Sequence, residues 1–325
     1  MKDLVPREIL TADLLQHPAA RVWNELQTET VEPTEIQTLK RKNKSAIYRL
    51  QGAGPNGSNV IAKRCLTDTA LIERFIYEQL LEALPFPTLH LYGFLDDENP
   101  EFRWLFLEDA GTNPYRSESQ AHGKLLAEWL AILHTLGQQL PNANLLSARG
   151  PAHYLDHLQV GCAQIRRYID NPALTNNDRA LLEAILSQCD LLESNWKQIA
   201  RFCEPMPWTF VHGDLKSKNM RVRNTGQGLA LLCFDWETAG WGPPGPDLVK
   251  CPDLAHYESV ARRQWQELSH DAIDRMLHVG HLFRTLAKIH WESSHLEFQW
   301  MERPRITLSA CHKGLETTLH ILGMN

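Results

Sequence analysis

The chain has 325 residues, which at roughly 100–200 residues per domain allows two domains or one large bilobed unit. Its 33 Lys and Arg residues and 39 Asp and Glu residues give a net charge of −6. That balance argues against sequence-independent nucleic-acid binding and gives no reason to expect attachment to an anionic membrane.

No apolar run approaches the ~20 residues that span a bilayer, and the N-terminus lacks the apolar core of a signal peptide. The seven cysteines form no C-x-x-C pair. We therefore expect a cytoplasmic protein with reduced thiols.

The predicted elements divide the chain into two parts. Residues 1–28 are predicted to form an amphipathic helical extension that Pro18 divides. Strands are then predicted over residues 31–39, 46–50, 59–65, 88–95 and 102–107, with one helix over 68–84. The rest is mainly helical, with helices over 117–138, 152–169, 178–202, 267–296 and 307–322 and one β-like island over 208–234. The pattern predicts an α+β fold, with a small β-rich part over residues 1–110 and a larger, mainly helical part over 111–325.

Two polar segments that follow apolar strands carry the strongest chemical signal. The first is the loop His212-Gly213-Asp214-Leu215-Lys216-Ser217-Lys218-Asn219. The second begins at Asp235, directly after the apolar run of residues 229–234. A carboxylate at the end of a buried strand is costly unless it is paired, and a divalent cation is a natural partner. Oxygen ligands from Asn219 and Asp235 suit Mg²⁺, which typically needs only one or two carboxylates plus phosphate oxygens.

The same loop offers groups for phosphate chemistry. Asp214 is left to accept a proton from an attacking hydroxyl, or to orient it. Lys216 would offset negative charge on a phosphate in transfer. For each residue taken alone, the alternative is a polar turn with capping side chains, but the ordered set favours the chemical interpretation.

This ordered set resembles the aminoglycoside phosphotransferase/choline kinase family, the small-molecule branch of the protein-kinase-like fold. The loop from His212 to Asn219 is similar to the kinase catalytic loop H-R-D-x-x-x-x-N, with Gly213 in place of the Arg, and Asp235-Trp236-Glu237 is similar to D-F-G. The resemblance extends from about residue 35 to at least residue 250. It implies a bilobal fold, with a nucleotide-binding lobe built on a small antiparallel sheet over 1–110 and a catalytic and acceptor-binding lobe over 111–325.

The resemblance also requires a lysine on the third strand, paired with a glutamate on the following helix, to hold ATP phosphates. Period-two alternation places Lys63 on an apolar face of its strand. Glu78 follows Phe75 by three residues and Leu71 by seven, so the pattern puts it on an apolar stripe and predicts a pair with Lys63. Glu73 is the alternative, on a different face by the same pattern. A snorkelling lysine and a solvated glutamate are the structural alternative.

Two further segments are expected to contact the nucleotide. The turn at Lys44 and Ser45 lies between the first two predicted strands of the sheet, where a phosphate-covering loop belongs, although a basic surface turn is an equal alternative. Glu108 belongs to the segment of residues 104–111 that joins the lobes, whose backbone the resemblance implies would hydrogen-bond adenine. The motif Gly52-x-Gly54-x-x-Gly57 precedes a strand and is therefore neither a dinucleotide fingerprint nor the kinase glycine-rich loop.

The segment after Asp235 argues for a small acceptor and against a peptide. Asp247 follows Asp235 by 12 residues that are rich in Gly and Pro, which leaves no room for an activation loop, and no A-P-E motif follows. By resemblance, Asp247 braces the catalytic loop. Acids that could receive an aminated sugar or a quaternary ammonium, or that form ordinary solvated helix faces, are Glu237, Glu258, Glu267, Asp271, Asp274, Glu292, Glu297 and Glu302.

We therefore predict an ATP- and Mg²⁺-dependent phosphotransferase acting on a hydroxyl of a small molecule such as an amino sugar or an aminoalcohol. Asp214 and Lys216 are its predicted catalytic residues. A choline/ethanolamine-type kinase is the alternative within the family. Two alternatives of other classes are a nucleotide-binding protein with little catalysis and a metal-dependent phosphohydrolase that uses His212, Asp214 and Asp235.

Overall fold

The computed structural model describes residues 8–226, 228–298 and 302–323 of the chain. Within them the chain forms two compact units. The first unit contains the residues up to Leu125 together with Lys216–Thr238, and the second contains Leu126–Leu215 and the residues from Ala239 onward. The division after Leu125 falls later than the predicted boundary at 110/111, and the segment from Lys216 to Thr238 returns to the first unit.

The described residues include ten β-strands and ten α-helices. The strands are β1 (Ile9–Leu10), β2 (Glu35–Lys42), β3 (Ser45–Gln51), β4 (Val60–Leu66), β5 (Leu91–Asp96), β6 (Phe102–Glu108), β7 (Thr209–Val211), β8 (Met220–Thr225), β9 (Gly228–Cys233) and β10 (Gly240–Gly242). The helices are α1 (Pro18–Asn24), α2 (Thr67–Phe75), α3 (Gln120–Gly137), α4 (Pro151–Tyr168), α5 (Asn176–Ser194), α6 (Trp196–Cys203), α7 (Gly245–Leu248), α8 (Leu254–Ala261), α9 (His270–Ser293) and α10 (Glu302–Ile321). No helix among the described residues is both long enough and apolar enough to cross a membrane.

The first unit is built on an antiparallel sheet with the strand order β1-β2-β3-β4-β6-β5. The small antiparallel sheet and the α+β class are thus confirmed. The prediction of a helical extension over residues 1–28 is wrong in part, because Ile9–Leu10 pairs with β2 as a strand and only Pro18–Asn24 is α-helical. The part of that prediction on residues 1–7 lies outside the described residues.

The two faces of this sheet pack against different helices. On one face, Val60 and Ala62 of β4 belong to a buried cluster with Trp23 of α1, whose indole N–H donates to the Ala53 carbonyl at 3.0 Å. On the other face, Cys65 packs with residues of α2 and β6. Because side chains alternate along a strand, Lys63 shares the face of Cys65 and points toward α2.

A second hairpin in the first unit is formed by β8 and β9. Their register pairs Met220 with Cys233, so the residues just outside the hairpin, Asn219 and Phe234, lie side by side. The N–H of Phe234 donates to the carbonyl of Asn219 at 3.1 Å. The predicted catalytic loop comprises residues 212–219. The register of the hairpin brings the end of this loop next to the start of the segment that carries Asp235.

The second unit is mainly helical, and β7 and β10 form its short antiparallel pair. The predicted helix over 178–202 is interrupted at Asn195, which separates α5 from α6. Helices α7 and α9 come into direct backbone contact, since a Cβ added at Gly280 would lie 2.1 Å from the Gly245 carbonyl oxygen. That close approach positions Asp247, which α7 carries.

Candidate active site

A cavity of about 230 Å³ lies in the first unit. It is lined by residues of the sheet, by the segment after β6 and by the ends of the β8–β9 hairpin. The functional groups among its lining residues are Lys40, Arg49, Lys63, Glu73, Glu108, Asp109, Lys218, Asn219, Arg221 and Asp235. Four of the predicted site residues are thus collected in one place, namely Lys63, Glu108, Asn219 and Asp235.

Lys63 contacts two carboxylates in this cavity. Its Nζ lies 2.6 Å from Oε1 of Glu73 and 2.7 Å from Oδ1 of Asp235. The predicted pair with Glu78 is wrong, because Glu78 instead pairs with Arg74 one helical turn away at 2.9 Å. The glutamate partner of Lys63 is therefore the alternative, Glu73.

The pairing of Lys63 with Glu78 was predicted wrongly because the helix buries a different face from the one that the sequence pattern indicated. The predicted stripe passed through Leu71, which is 48% exposed and faces solvent. The buried face of the helix instead contains Ala70, Glu73 and Ile76. The helix also widens to a π-type turn over Ile76–Leu80, which shifts the phase of the residues beyond it.

The electrostatics of the cluster favour the charged states of Lys63 and Asp235, whereas burial raises the pKa of Glu73. Burial opposes a charge on Lys63, but the carboxylates of Glu73 and Asp235 outweigh that cost and raise the pKa of Lys63 well above its ordinary value. For Asp235, burial acts to raise the pKa, and the Lys63 ammonium overcomes it and lowers the pKa to about 2. Lys40 and Lys218 also lower the pKa of Asp235. An ionised carboxylate is therefore held in the cavity.

The backbone of Asp235 has a left-handed conformation, with φ of 71°. For a residue other than glycine this conformation is uncommon and is found preferentially at functional sites, where the surrounding structure maintains it. It turns the chain sharply after β9, which places the Asp235 carboxylate beside Lys63. Asn219, on the adjacent strand end, is 3% exposed.

Asp235 and Asn219 together provide a donor set that fits a hard divalent cation, because both offer oxygen ligands. No group of three or more His, Cys, Asp and Glu side chains that could hold a metal occurs among the described residues. A site with few protein ligands suits Mg²⁺, which keeps several waters and takes phosphate oxygens for its other positions, and does not suit Zn²⁺.

The remaining predicted nucleotide contacts differ in position. Glu108 lines the cavity, and its backbone N–H donates to the carbonyl of His90 at 2.8 Å. Lys44 and Ser45 lie at the turn between β2 and β3, where Lys42 pairs with Ser45, and neither is among the residues lining the cavity. From the same hairpin it is Lys40 that lines the cavity.

In the second unit, the strand β7 leads into the catalytic loop. Gly213 has φ of 79°, a left-handed conformation that glycine adopts without strain, which explains glycine at the position that arginine occupies in protein kinases. Asp247, fully buried, accepts hydrogen bonds from the backbone N–H groups of His212 at 2.7 Å and Gly213 at 2.9 Å. Burial acts to raise the pKa of Asp247, but its interactions with His134 and with the loop N–H groups lower it. An anionic aspartate thus fixes the loop from one side.

Asp214, the predicted catalytic residue, is 9% exposed and lies close to a cation of α9. The Nη2 atom of Arg284 is 3.9 Å from Oδ1 of Asp214, and Nη1 of Arg284 donates to the carbonyl of Pro246 at 3.2 Å. Lys216 follows Asp214 by two residues, and its carbonyl accepts the N–H of Asn219 at 2.8 Å. A short helical turn therefore leads from Lys216 to Asn219, one of the two predicted metal ligands.

A larger cavity, of about 350 Å³, lies in the second unit between α6, α9 and α10. His278 and His281 of α9 line it together with apolar residues such as Phe202 and Leu282. No carboxylate contributes to this lining, so the cavity lacks the groups needed for the predicted chemistry.

Two residues close to the predicted site residues, Lys40 and Arg284, were not predicted from the sequence. Lys40 belongs to a basic run on β2, which is a weak signal that could have identified it. Arg284 follows Asp214 by 70 residues and carries no motif, so only the folded structure reveals their proximity.

The two-unit α+β architecture, the Lys63–Glu73 pair and the loop from His212 to Asn219 define a protein-kinase-like phosphotransferase class. The sequence profile of the phosphotransferase enzyme family (APH) matches residues 48–276, which is more than half of the chain. This chain belongs to that family. No curated protein matches its sequence closely enough to serve as a relative.

Solved structures with the same fold share little sequence with this chain. An aminoglycoside phosphotransferase, APH(4)-Ia in a thermostable mutant form, is 13% identical with a TM-score of 0.58, and the match covers 93% of this chain and 98% of that one. A putative aminoglycoside phosphotransferase from Ralstonia eutropha JMP134 is 12% identical with a TM-score of 0.62 and coverages of 93% and 96%. Choline kinase from Cryptosporidium parvum Iowa II is 12% identical with a TM-score of 0.61, and both chains are covered to 94%. These likenesses show the kinase-like fold.

Proposed function

We propose that this chain is an ATP- and Mg²⁺-dependent phosphotransferase that moves the γ-phosphate to a hydroxyl group of a small molecule. The observation that carries the proposal is the contact of Lys63 with both Glu73 and Asp235 in a cavity that Asn219 also lines. A lysine–glutamate pair and a metal-binding aspartate are the groups that kinase-like phosphotransferases use to hold a nucleotide. Related structures support nucleotide use, since one contains AMP-PNP with hygromycin B and another contains ADP with spectinomycin.

In this proposal each group of the cavity has one task. Lys63 would neutralise charge on the α- and β-phosphates, and Glu73 would keep its ammonium in place. Asn219 and Asp235 would hold Mg²⁺, which when bound neutralises charge on the phosphate oxygens. Lys40 and Lys218 line the same cavity and would add positive charge for the phosphate groups. The backbone of the segment at Glu108 would hydrogen-bond the base.

The catalytic loop would act on the acceptor. Asp214 would accept the proton of the acceptor hydroxyl, and Lys216 would offset charge on the phosphate in transfer. Asp247 would keep the loop in shape through its two backbone hydrogen bonds. Contact of Lys44 and Ser45 with phosphate stays a prediction. A cytoplasmic location also stays a prediction, with which seven free, buried cysteines are compatible.

The alternatives make different demands. A choline- or ethanolamine-type kinase would use the same groups, and structures of such kinases share the fold. A metal-dependent phosphohydrolase would need a metal held jointly by His212, Asp214 and Asp235, and no group of three such side chains occurs among the described residues. A nucleotide-binding protein with little catalysis would bind Mg·ATP without transfer.

An acceptor screen tests the proposal. ATP consumption is measured over amino sugars, aminoalcohols, hydroxy-amino acids, sugar phosphates and nucleosides, with Asp214→Asn as the control variant. We expect acceptor-dependent ADP release that Asp214→Asn lowers by two orders of magnitude or more, in line with the effect of removing a general base (roughly 10²–10⁴-fold). Near-full turnover of Asp214→Asn, or Mg·ATP binding without transfer to any acceptor, would contradict it.

A further inference from the structure

Arg149 lies next to the strand pair that leads into the catalytic loop. Its backbone N–H donates to the carbonyl of Trp241 in β10 at 2.7 Å. Its side chain crosses the face of Gly240, where an added Cβ would lie 2.4 Å from Cγ of Arg149. Gly240 pairs with Val211, the last residue of β7, which precedes Asp214 by three residues. The glycine at 240 therefore makes room for a guanidinium near the catalytic loop.

No carboxylate among the described residues pairs with Arg149. Its Nη2 donates to the carbonyl of Ala239 at 3.3 Å, its Nη1 lies 3.2 Å from Nε2 of His153, and its Nε is buried without a hydrogen-bond partner. Burial lowers the pKa of Arg149, with Tyr154 as the one group that raises it. A partly buried cation without a counter-ion is costly, and proteins keep such groups where a ligand supplies the missing charge.

The histidines beside Arg149 do not supply that charge. His153 Nε2 lies 3.2 Å from His157 Nε2, and His157 Nδ1 lies 2.7 Å from His290 Nδ1. Because Arg149 can only donate, His153 meets it with an unprotonated ring nitrogen and carries no counter-charge. Burial, and the positive charge of Arg149, lower the pKa of His153 to about 4, so it is neutral at pH 7.

A second cation, Arg284, lies beside Asp214, the proposed general base. Arg284, which is 8% exposed, has Nη2 at 3.9 Å from Oδ1 of Asp214. The ring of His153, which Arg149 contacts, lies 4.9 Å from the ring of Tyr154, and Tyr154 stacks at 4.0 Å on Phe283, the residue before Arg284. Both arginines therefore belong to the surroundings of one buried phenol. Glu258, one of the acids expected to receive a cationic acceptor, instead pairs with Arg262 at 2.6 Å.

We propose that the acceptor carries an anionic oxygen group, either a carboxylate or a phosphate ester, that Arg149 and Arg284 bind. The proposal rests on the proposed phosphotransferase function and narrows its acceptor class. Guanidinium groups present forked N–H donors that match these planar or tetrahedral oxyanions. A bound anion would supply the counter-charge that Arg149 lacks, while Arg284 would orient both the anion and Asp214. A cationic amino sugar or aminoalcohol would meet two like charges.

Binding of small anions tests the proposal directly. The probes are malonate for a carboxylate, methyl phosphate for a phosphate ester, and choline for a cation, each titrated calorimetrically with and without saturating Mg·AMP-PNP. With the nucleotide present, we expect the wild type to bind malonate or methyl phosphate, and to bind choline more weakly. The anion that binds more tightly shows whether the acceptor carries a carboxylate or a phosphate ester. Absence of anion binding, or tighter binding of choline, would overturn the proposal.

Variants assign the binding to these arginines. Arg149→Gln and Arg284→Gln should each weaken anion binding by about tenfold or more, the loss expected for one charge-assisted hydrogen bond, and Arg149→Lys should restore part of it. Arg167→Gln, which removes an exposed arginine of α4, controls for total charge and should bind anions as the wild type does. Unchanged anion binding in Arg149→Gln would contradict the assignment.

A structural role for Arg149 makes an opposite prediction for stability. Replacing a partly buried cation that lacks a counter-ion by an apolar side chain of similar length should leave the melting temperature of Arg149→Met unchanged or raise it, whereas a purely structural arginine would lower it. Failure of the wild type to bind Mg·AMP-PNP would contradict the proposed phosphotransferase function and not the anion site, which is also titrated without nucleotide. The two proposals can therefore fail separately.

Discussion

Lys63 and Glu73 form an ion pair that is almost completely withdrawn from water. Their side chains are 6% and 1% exposed, and the Nζ–Oε1 distance is 2.6 Å. The two residues come from β4 and α2, so the pair fixes the helix against one face of the sheet. Removing one partner of an isolated buried pair typically costs about 3–5 kcal/mol, but Asp235 remains as a counter-charge of Lys63 when Glu73 is lost, so we expect a smaller loss.

The first prediction separates Glu73 from Glu78. Glu73→Gln should lower the free energy of unfolding by about 1–3 kcal/mol and raise the KM for ATP, because Lys63 loses one of its two counter-charges. Glu78→Gln should change the unfolding free energy by no more than about 0.5 kcal/mol, since Glu78 is exposed and pairs only with Arg74. Urea denaturation and steady-state kinetics measure both. Indistinguishable variants would contradict the assignment of the pair.

The sheet and the site loop could be predicted from sequence because their signals are local. Alternation along residues 60–65 depends only on the strand period, and it correctly placed Lys63 on the face opposite Val60 and Ala62. The order of polar residues from His212 to Asn219 is likewise contained in one segment. Both signals are independent of how distant parts of the chain pack.

The partner of Lys63 could not be predicted because helix phase depends on packing. An apolar residue such as Leu71 is indistinguishable in sequence from a buried one, although 48% of it is exposed. A fully buried glutamate such as Glu73 contradicts the apolar pattern that identifies a buried face. The contact of Arg284 with Asp214 likewise depends on tertiary structure alone.

The second prediction concerns Asp235. Its pKa of about 2 is below the ordinary 3.8, so its contribution to stability is complete above about pH 4 and is lost as the pH falls toward 2. Asp235→Asn should abolish Mg²⁺-dependent nucleotide binding and remove this part of the acid dependence, while asparagine tolerates the left-handed backbone. The urea midpoint of unfolding, measured between pH 2 and 5 for the wild type and the variant, gives the acid dependence of stability. The control is Asp156→Asn, an exposed aspartate whose replacement should leave nucleotide binding intact.

The third prediction concerns Asp247 and the catalytic loop. Asparagine can accept only with one side-chain oxygen, so Asp247→Asn leaves the N–H of His212 or of Gly213 without its present partner. We expect a loss of about 1–3 kcal/mol in unfolding free energy and a lower kcat with little change in the KM for ATP. Asp170→Asn, at an exposed position after α4, is the control and should leave kcat unaltered. Equal effects on kcat and the KM for ATP would argue against a role confined to the loop.

The fourth prediction is a pH dependence of stability from the buried histidines. Burial, followed by neighbouring cations and histidines, lowers the pKa values of His153 and His157 from 6.5 to about 4. The unfolded chain takes up protons below pH 6.5 whereas the folded chain does not, so their contribution is complete above pH 6.5 and is lost as the pH falls to 4. His157→Gln should therefore reduce the fall in urea midpoint between pH 7 and 5. His90→Gln, at an exposed position, should leave that fall unchanged.

The fifth prediction compares two helical glycines. A Cβ at Gly280 would lie 2.1 Å from the carbonyl oxygen of Gly245, so Gly280→Ala must push α7 away from α9. We expect a destabilisation of about 1–3 kcal/mol or more, together with lower activity, because α7 carries Asp247. At Gly314 the nearest atom would be 3.5 Å away, an ordinary contact, so Gly314→Ala should stabilise the protein by about 0.5–1 kcal/mol through helix propensity. Thermal unfolding measures both variants, and shifts of the same sign would contradict the close packing of α7 on α9.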